Sequence, residues 1–470
     1  MRMTPRARIL APLALLALSV PSHLAPAAPP APPTPNAAAP QPAPRPAPAP
    51  LGRDEPEAAR IRLEIGQALR QMEAAVLAAN QEAYLAWVVP AESDPVFRTE
   101  QVNWAKDLGR HVPAEFTLEI VDPAAPQVGD AGAPGPAAAA PPDQPVPPPP
   151  GTPDDPAVPP PVYTANEARF TLRMTWRMPP APPRDDPAAE PVPKRERRVS
   201  FPVRFVRLPL SGRWYYAGED WASVTGAAYA PDSGPVVVKY LGDSRDIAER
   251  VAETLPRVRR RVDEGFEYRP AITQEVKLYP SMRHLQASIY LSYADPLSGW
   301  NEPGEAIKIL ARENMMAGAL EPLLAHEYGH VATFELGEHA TKMPWWLVEG
   351  VAELAAEAFS PGLADASRAA VESWARRGRL APWEPMADFY TCPPRYHGHV
   401  YRQGHHLLGF VSETFGRTKR NQWLTLMARG GTLDEATAGA LGLSWAQLDE
   451  RWRATLPTAE PPQPEPDPEP

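Results

Sequence analysis

His326-Glu327-Tyr328-Gly329-His330, followed after 18 intervening residues by Glu349, is the stretch on which the reading of this chain turns. Pro322 suits the first turn of a helix and Gly337 its end, so the pentapeptide is expected to be helical. On a helix, residues four apart lie one turn apart on the same face. His326 and His330 can therefore reach one tetrahedral ion at about 2.0–2.1 Å. Glu327, one step round, is poorly placed as a third ligand and points toward the open coordination position, where a general base is useful. A pentapeptide of this kind also arises by chance, with a surface histidine and a solvated glutamate. The next segment decides between the two. Pro344-Trp345-Trp346-Leu347-Val348-Glu349-Gly350-Val351-Ala352-Glu353 starts a second helix, which carries the carboxylates Glu349 and Glu353 one turn apart.

These two helices resemble the gluzincin group of metallopeptidases, and within it the peptidase MA-like family. The match covers the His326–His330 pair, the spacing to Glu349, the glycine after it and the aromatic-rich helix start before it. The resemblance implies one zinc ion per chain on His326, His330 and Glu349, with Glu327 as general base. It also implies that Glu353, one turn after Glu349, orients His326 through the ring nitrogen that does not face the metal, an ordinary supporting role in such sites. Glu357, a further turn on, has no role in this reading. Downstream, Tyr396-His397-Gly398-His399-Val400-Tyr401-Arg402-Gln403-Gly404-His405-His406 corresponds to the place where the family opens a helix with a tyrosine. Tyr401 is thus the candidate oxyanion donor, with His405 as a substitute and simple packing as the plain alternative. The four histidines of this run are also a weak candidate for a second metal site.

The resemblance runs from about Val236 to Leu456. The family's aminopeptidase branch carries a Gly-x-Met-Glu-Asn element that anchors a free amino terminus, and that element is missing upstream, where Gly299-Trp300-Asn301-Glu302-Pro303-Gly304 stands. An endopeptidase acting on a peptide or protein fits better. The following strand, Ala306 to Leu310, is the expected sheet edge for pairing with an extended substrate. Two other readings stay open: a non-catalytic envelope binding protein with a zincin-like domain, and an amidase acting on a cell-wall component. An intact Glu327 argues against the first.

Outside this region the chain reads as follows. Arg2, Arg6 and Arg8 precede an apolar run, Ile9 to Val20, with small residues at Ala25-Pro26-Ala27. Such a pattern describes an export signal over 1–27, with an uncleaved anchor as its alternative. The expected location is periplasmic or extracellular, and no other membrane span is expected. Proline accounts for 65 of the 470 residues and is concentrated in runs. Segments 28–53, 123–161 and 457–470 cannot bury enough apolar surface to offset their ordering entropy, and are expected to be linker, insertion and tail. The formal net charge of −10 offers nothing for nucleic acid. Cys392 stands alone, which excludes an intrachain disulfide.

Between 54 and 222 a helical period over Ala58 to Val88 places Ile61, Ile65, Leu69, Met72, Val76 and Leu77 on one face. Strands are expected over Phe116 to Val121, Ala168 to Met178, Arg198 to Leu208 and Gly212 to Tyr216. A long helix followed by an antiparallel sheet resembles the nuclear-transport-factor-like and cystatin-like rolls. Trp214, Tyr216 and Trp221 would be core, or would line a second site in the cone. From Val236 onward, strands (236–241, 275–279, 306–310) alternate with helices (247–262, 282–293), and the remainder is helical. The fold class is α+β: a zincin-type metallopeptidase domain over 235–456 preceded by an α+β roll over 54–222.

Overall fold

The long N-terminal helix stops earlier than its period suggests. In the computed structural model, α1 spans Pro56–Leu77 and the chain then turns through Ala79, which adopts a left-handed φ of 51°. Ile61, Ile65, Leu69, Met72 and Val76 are buried as expected, each contributing on the order of 1.5–3 kcal/mol. Leu77 is not: one step beyond Val76, it turns off the apolar face and is 43% exposed. A short α2, Gln81–Leu85, is capped by Asn80. A helix absent from the sequence reading follows: α3, Pro95–Leu108, with Asp94 capping Phe97 N–H and proline in the first turn. The structure describes residues 52, 56–123, 158–181, 190–268, 272–311 and 318–458. The export signal, nearly all of the linker, most of the proline-rich insertion and most of the tail lie outside them.

These three helices pack on an antiparallel sheet built from β1 (Glu115–Val121), β2 (Val162–Tyr163), β3 (Glu167–Arg177), β4 (Arg197–Arg207) and β5 (Trp214–Glu219). The order is β1-β3-β4-β5, with β2 also on β3. Alternation along β3 and β4 sends Phe170, Leu172, Val203 and Phe205 into one core with α1. Trp214 and Tyr216 belong to that core, and Trp214 donates to Glu64. The space beside Tyr216 is only about 50 Å³, and Trp214 and Trp221 do not line it. Trp221 instead borders a separate space of about 170 Å³ with Glu219, Lys239 and Lys277, so the three aromatics do not line one common cone.

Trp221 does not close this sheet. The chain passes directly into β6 (Ala222–Gly226), which opens a second sheet with β7 (Val236–Tyr240), β8 (Gln274–Tyr279), β9 (Gly299–Trp300) and β10 (Ile307–Leu310). Its order is β6-β7-β8-β10-β9, parallel at the centre and antiparallel at both edges. The expected edge strand, β10, is thus interior: β9 covers it, pairing Trp300 with Lys308 and Gly299 with Ile309. The physical cause is the 299–304 turn, which folds Gly299 and Trp300 back antiparallel onto β10. Crossover helix α4 (Arg245–Phe266) joins β7 to β8, and α5 (Met282–Ile289) follows β8. The latter is shorter than expected because Tyr290 turns extended, burying its ring and reaching Glu302 with its hydroxyl at 2.6 Å.

The rest is helical. Helix α6 (Leu320–Phe334) carries the histidine pair, α7 (Trp345–Glu357) carries Glu349, and α8 (Leu363–Arg376) precedes α9 (His397–Phe415). Three more helices, Arg417–Ala428, Leu433–Leu441 and Trp445–Arg453, complete the largest core, to which α4, α6, α7 and α9 contribute. The class is α+β. Among the described residues, no helix is long and apolar enough to cross a membrane.

Candidate metal centre

Three glycines let the site helices approach each other closely. A Cβ at Gly329 on α6 would come within 2.9 Å of Ala355 Cβ on α7. One at Gly350 would meet Gly404 of α9 at 2.7 Å, and one at Gly404 would meet the Trp346 carbonyl at 2.1 Å. A mid-helix glycine costs roughly 1 kcal/mol relative to alanine, so each needs a reason, and here the reason is contact. The result is that His326, His330, Glu349 and Tyr401 converge at the bottom of one cleft of about 730 Å³.

Glu349 Oε2 lies 3.4 Å from His326 Nε2 and 3.6 Å from His330 Nε2, and the three ligand atoms are all within 4.8 Å of one another. For bonds of 2.0–2.1 Å, the edge of a tetrahedron is about 3.3–3.4 Å, so the two measured spacings suit a single small divalent ion. Glu349 Oε2 is buried and accepts no hydrogen bond. Its other oxygen is taken: Trp345 Nε1 donates to Oε1 at 2.8 Å. The carboxylate is thereby turned so that its free oxygen faces the rings. On the far side of His326, Nδ1 lies 3.3 Å from Glu353 Oε1, as the resemblance implied. Arg402 Nη1 approaches the other oxygen of Glu353 at 3.6 Å and also donates to Ser367 Oγ.

The electrostatics fit a cation. Burial opposes charge on His326, yet the carboxylates of Glu349 and Glu353 close to its two nitrogens outweigh it and push the ring up to about 10. Burial pulls His330 down to about 4. Burial also raises Glu349, but the two histidines and the Trp345 N–H overcome it and hold its carboxyl below the usual range. Carboxylates that keep a proton on His326 would equally draw a divalent ion, which binds by displacing that proton. The donor set, two imidazoles and one carboxylate, is the set expected of a site with an open fourth position.

Glu327 is buried, and desolvation pushes its carboxyl up to about 7. Gly299 of β9 lies directly on it: a Cβ there would sit 2.3 Å from Glu327 Oε1. Edge strand and general-base candidate are therefore in contact, which no spacing rule foretells. Tyr401 lies in the second turn of α9 rather than at its start. It lines the cleft, with its ring 6.2 Å from that of His326 and 6.2 Å from Trp345. Burial keeps its phenol protonated, well above its ordinary range.

Other expectations need correction. His405 does not line the cleft. Its Nδ1 is 2.9 Å from Ser367 Oγ and its Nε2 is 2.9 Å from Glu357, so it braces α8 and α7 against α9 and gives Glu357 a partner. His397 packs edge-on against Trp345, His399 stacks on Trp374, and His406 accepts the Trp452 indole N–H. Spread over three directions, these rings form no second cluster among the described residues. Glu302, given no role from the sequence, lines the cleft near β9. Trp345, Arg402, Gly299 and Glu302 are thus the site residues that sequence reasoning missed. Only the aromatic-rich start of α7 gave any signal.

No family model matches the sequence, and no curated protein does either. Among solved structures, the chain is similar to the M1 zinc metallopeptidase from Deinococcus radiodurans, at 17% identity over 60% of this chain and 61% of that one, with a TM-score of 0.37. A mutant of that enzyme bound to a Tyr-Ser-Ala substrate gives 17% identity, 59% and 61% coverage and a TM-score of 0.34. A two-domain M1 zinc metallopeptidase mutant bound to L-arginine gives 16%, 59%, 60% and 0.33. The overlay spans about three fifths of each of these chains.

Proposed function

We propose that this chain is a gluzincin-type zinc metallopeptidase, holding one zinc on His326, His330 and Glu349 and cleaving peptide bonds within a peptide or protein. The observation that carries the reading is the position of Glu349 Oε2, without a hydrogen bond and 3.4 and 3.6 Å from two imidazole nitrogens, in a cleft that the buried Glu327 also lines. When bound there, zinc supplies a Lewis acid that acidifies water and polarises a carbonyl.

The chain's own residues do the rest. Glu327 accepts the proton of the attacking water and returns it to the leaving amine; a carboxyl raised toward neutrality can do both. With a cation held beside it, the Glu327 carboxyl would be drawn back down, which favours its accepting form before attack. Tyr401, kept as a phenol by burial, donates a hydrogen bond to the oxyanion. Trp345 and Glu353 fix the rotation of Glu349 and the tautomer of His326. Edge strand β9 offers backbone groups to an extended substrate laid across Glu327.

The preference for internal bonds follows from the missing methionine–asparagine context at 299–304. A second reading, aminopeptidase, is favoured by one observation: Glu302 places a carboxylate in the same cleft beside β9, where an amino terminus could bind. The N-terminal helix–sheet layer belongs to this reading as an α+β roll, and the basic and apolar residues before Val20 as an export signal, so that the enzyme works in the periplasm or outside the cell.

The decisive experiment incubates zinc-loaded protein with an unstructured protein, with and without chelator. We expect large fragments, loss of cleavage with chelator and recovery on adding zinc. Release of single amino acids from one end would support the aminopeptidase reading. Glu327→Gln should retain about one zinc while turnover falls roughly 10²–10⁴-fold; undiminished turnover removes its role as base.

A further inference from the structure

One wall of the cleft, from Tyr293 to Pro303, has little regular structure of its own. Gly299 and Trp300 pair with β10, and backbone bonds join Leu310 N–H to Ser298, Tyr293 N–H to Tyr290 and Glu305 N–H to Glu302. Gln286 Nε2 also donates to the carbonyls of Ala294 and Asp295, and Arg197 to that of Tyr293, so the first residues are steadied locally as well. Ordering each residue of such a segment costs on the order of 1–2 kcal/mol, so its position must be set from outside. Both of its ends are held by side chains of one helix, α3, in the N-terminal layer. At the leading end, Ser292 Oγ donates to Asp107 Oδ2 at 2.7 Å, and Asp107 is buried. At the trailing end, Asn103 Nδ2 donates to Glu305 Oε1 at 2.8 Å, and Glu100 Oε1 accepts the Ala306 N–H at 3.4 Å.

Glu100, Asn103 and Asp107 are spaced by three and four residues, which places them along one face of α3. The clamp is itself anchored in the second sheet. Lys277 of β8 pairs with the other Glu100 oxygen, Lys308 of β10 lies 2.9 Å from Glu305 Oε2, and both lysines are buried. Trp104, on the same helix, donates to the Ala287 carbonyl at 3.0 Å.

We propose that α3 is a positioning element for the peptidase cleft: Asp107 and Asn103 clamp the two ends of the 292–306 segment and so set the height of β9 above Glu327. None of the α3 residues lines the cleft. They act through the segment, and the N-terminal layer is therefore part of the enzyme rather than a separable appendage. The effect on catalysis rests on the peptidase reading; the clamp itself does not.

The test uses the full chain and the variants Asn103→Ala and Ser292→Ala, singly and together, with Ser292→Thr as the form that restores the hydroxyl. For an internally quenched peptide, KM is expected to rise about fivefold in each single variant and multiplicatively in the pair, with kcat within twofold and zinc content unchanged. Ser292→Thr should return KM toward wild type. Hydrogen exchange of zinc-loaded protein should quicken across 293–303 and not in α6 or α7. Wild-type KM and exchange in the double variant would overturn the proposal. So would a fall in kcat that tracks zinc loss or a general drop in melting temperature. If zinc-loaded wild type cleaves no peptide at all, the peptidase reading fails, while exchange across 293–303 still decides the clamp.

Discussion

The floor of the cleft and its strand-side wall contrast in how far apart in sequence their supports lie. On the floor, His326 and His330 sit one turn apart on α6, Trp345 orients Glu349 four residues later on α7, and Glu353 follows four residues after that. The two ends of the wall are also tied to side chains 185 and 202 residues earlier in the chain, Asp107 to Ser292 and Asn103 to Glu305, beyond the local bonds from Gln286. Floor geometry is a consequence of helical period plus three glycine contacts. Wall geometry is a consequence of tertiary hydrogen bonds between two layers. A local arrangement tolerates distant change; a long-range one does not.

The severest way to break the floor alone is His330→Ala. With one imidazole gone, two donors remain, and a buried carboxylate at Glu349 loses a neighbour that lowers its pKa. Zinc measured by mass spectrometry on purified protein should fall from about one per chain to near zero, and turnover with it. Hydrogen exchange across 293–303 should stay close to wild type, since no anchor of the wall has been touched. Retention of zinc would remove His330 from the ligand set.

A smaller loss is expected from Tyr401→Phe, which alters neither support. The ring keeps its place beside His326 and Trp345, while the phenolic donor disappears. If that hydroxyl stabilises the oxyanion, kcat should fall roughly 10²–10³-fold with KM and zinc content unchanged. A rate near wild type would leave Tyr401 as packing against the floor.

The same contrast explains what the sequence disclosed. Spacing of four placed His326 with His330, and Glu349 with Glu353, because a helix converts sequence distance directly into position; that the two helices meet was legible only through the resemblance. The strands of the N-terminal sheet were legible for a similar reason: alternation over Ala168 to Met178 and Arg198 to Leu208 is a local pattern. Helix α3 was not, because its apolar face is interrupted by Glu100 and Asp107, buried polar residues whose partners lie in another layer. The identity of the edge strand was hidden as well. Two residues, Gly299 and Trp300, are too few to carry a period, and only their pairing with β10 reveals them. His405 misled because it shares a helix face with Tyr401 by spacing, yet its hydrogen bonds run to Ser367 and Glu357.

The finest test of the floor is Trp345→Phe. Phenylalanine preserves a ring between Phe389, at 5.1 Å, and His397, at 5.4 Å, so the start of α7 should keep its packing. What is lost is one N–H donated at 2.8 Å to Glu349 Oε1. That bond removes one oxygen of the carboxylate from competition and helps keep its charge, so its loss leaves Glu349 freer to rotate and somewhat easier to protonate. Hydrogen bonds to ligating groups of this kind are worth about 10–100-fold in metal affinity. Competition with a chromophoric chelator should therefore show zinc held roughly 10–100-fold more weakly, with turnover near wild type once zinc is saturating. An unchanged affinity would mean that the helix frame alone aims the carboxylate, and that the floor depends even less on individual side-chain contacts than its spacing suggests.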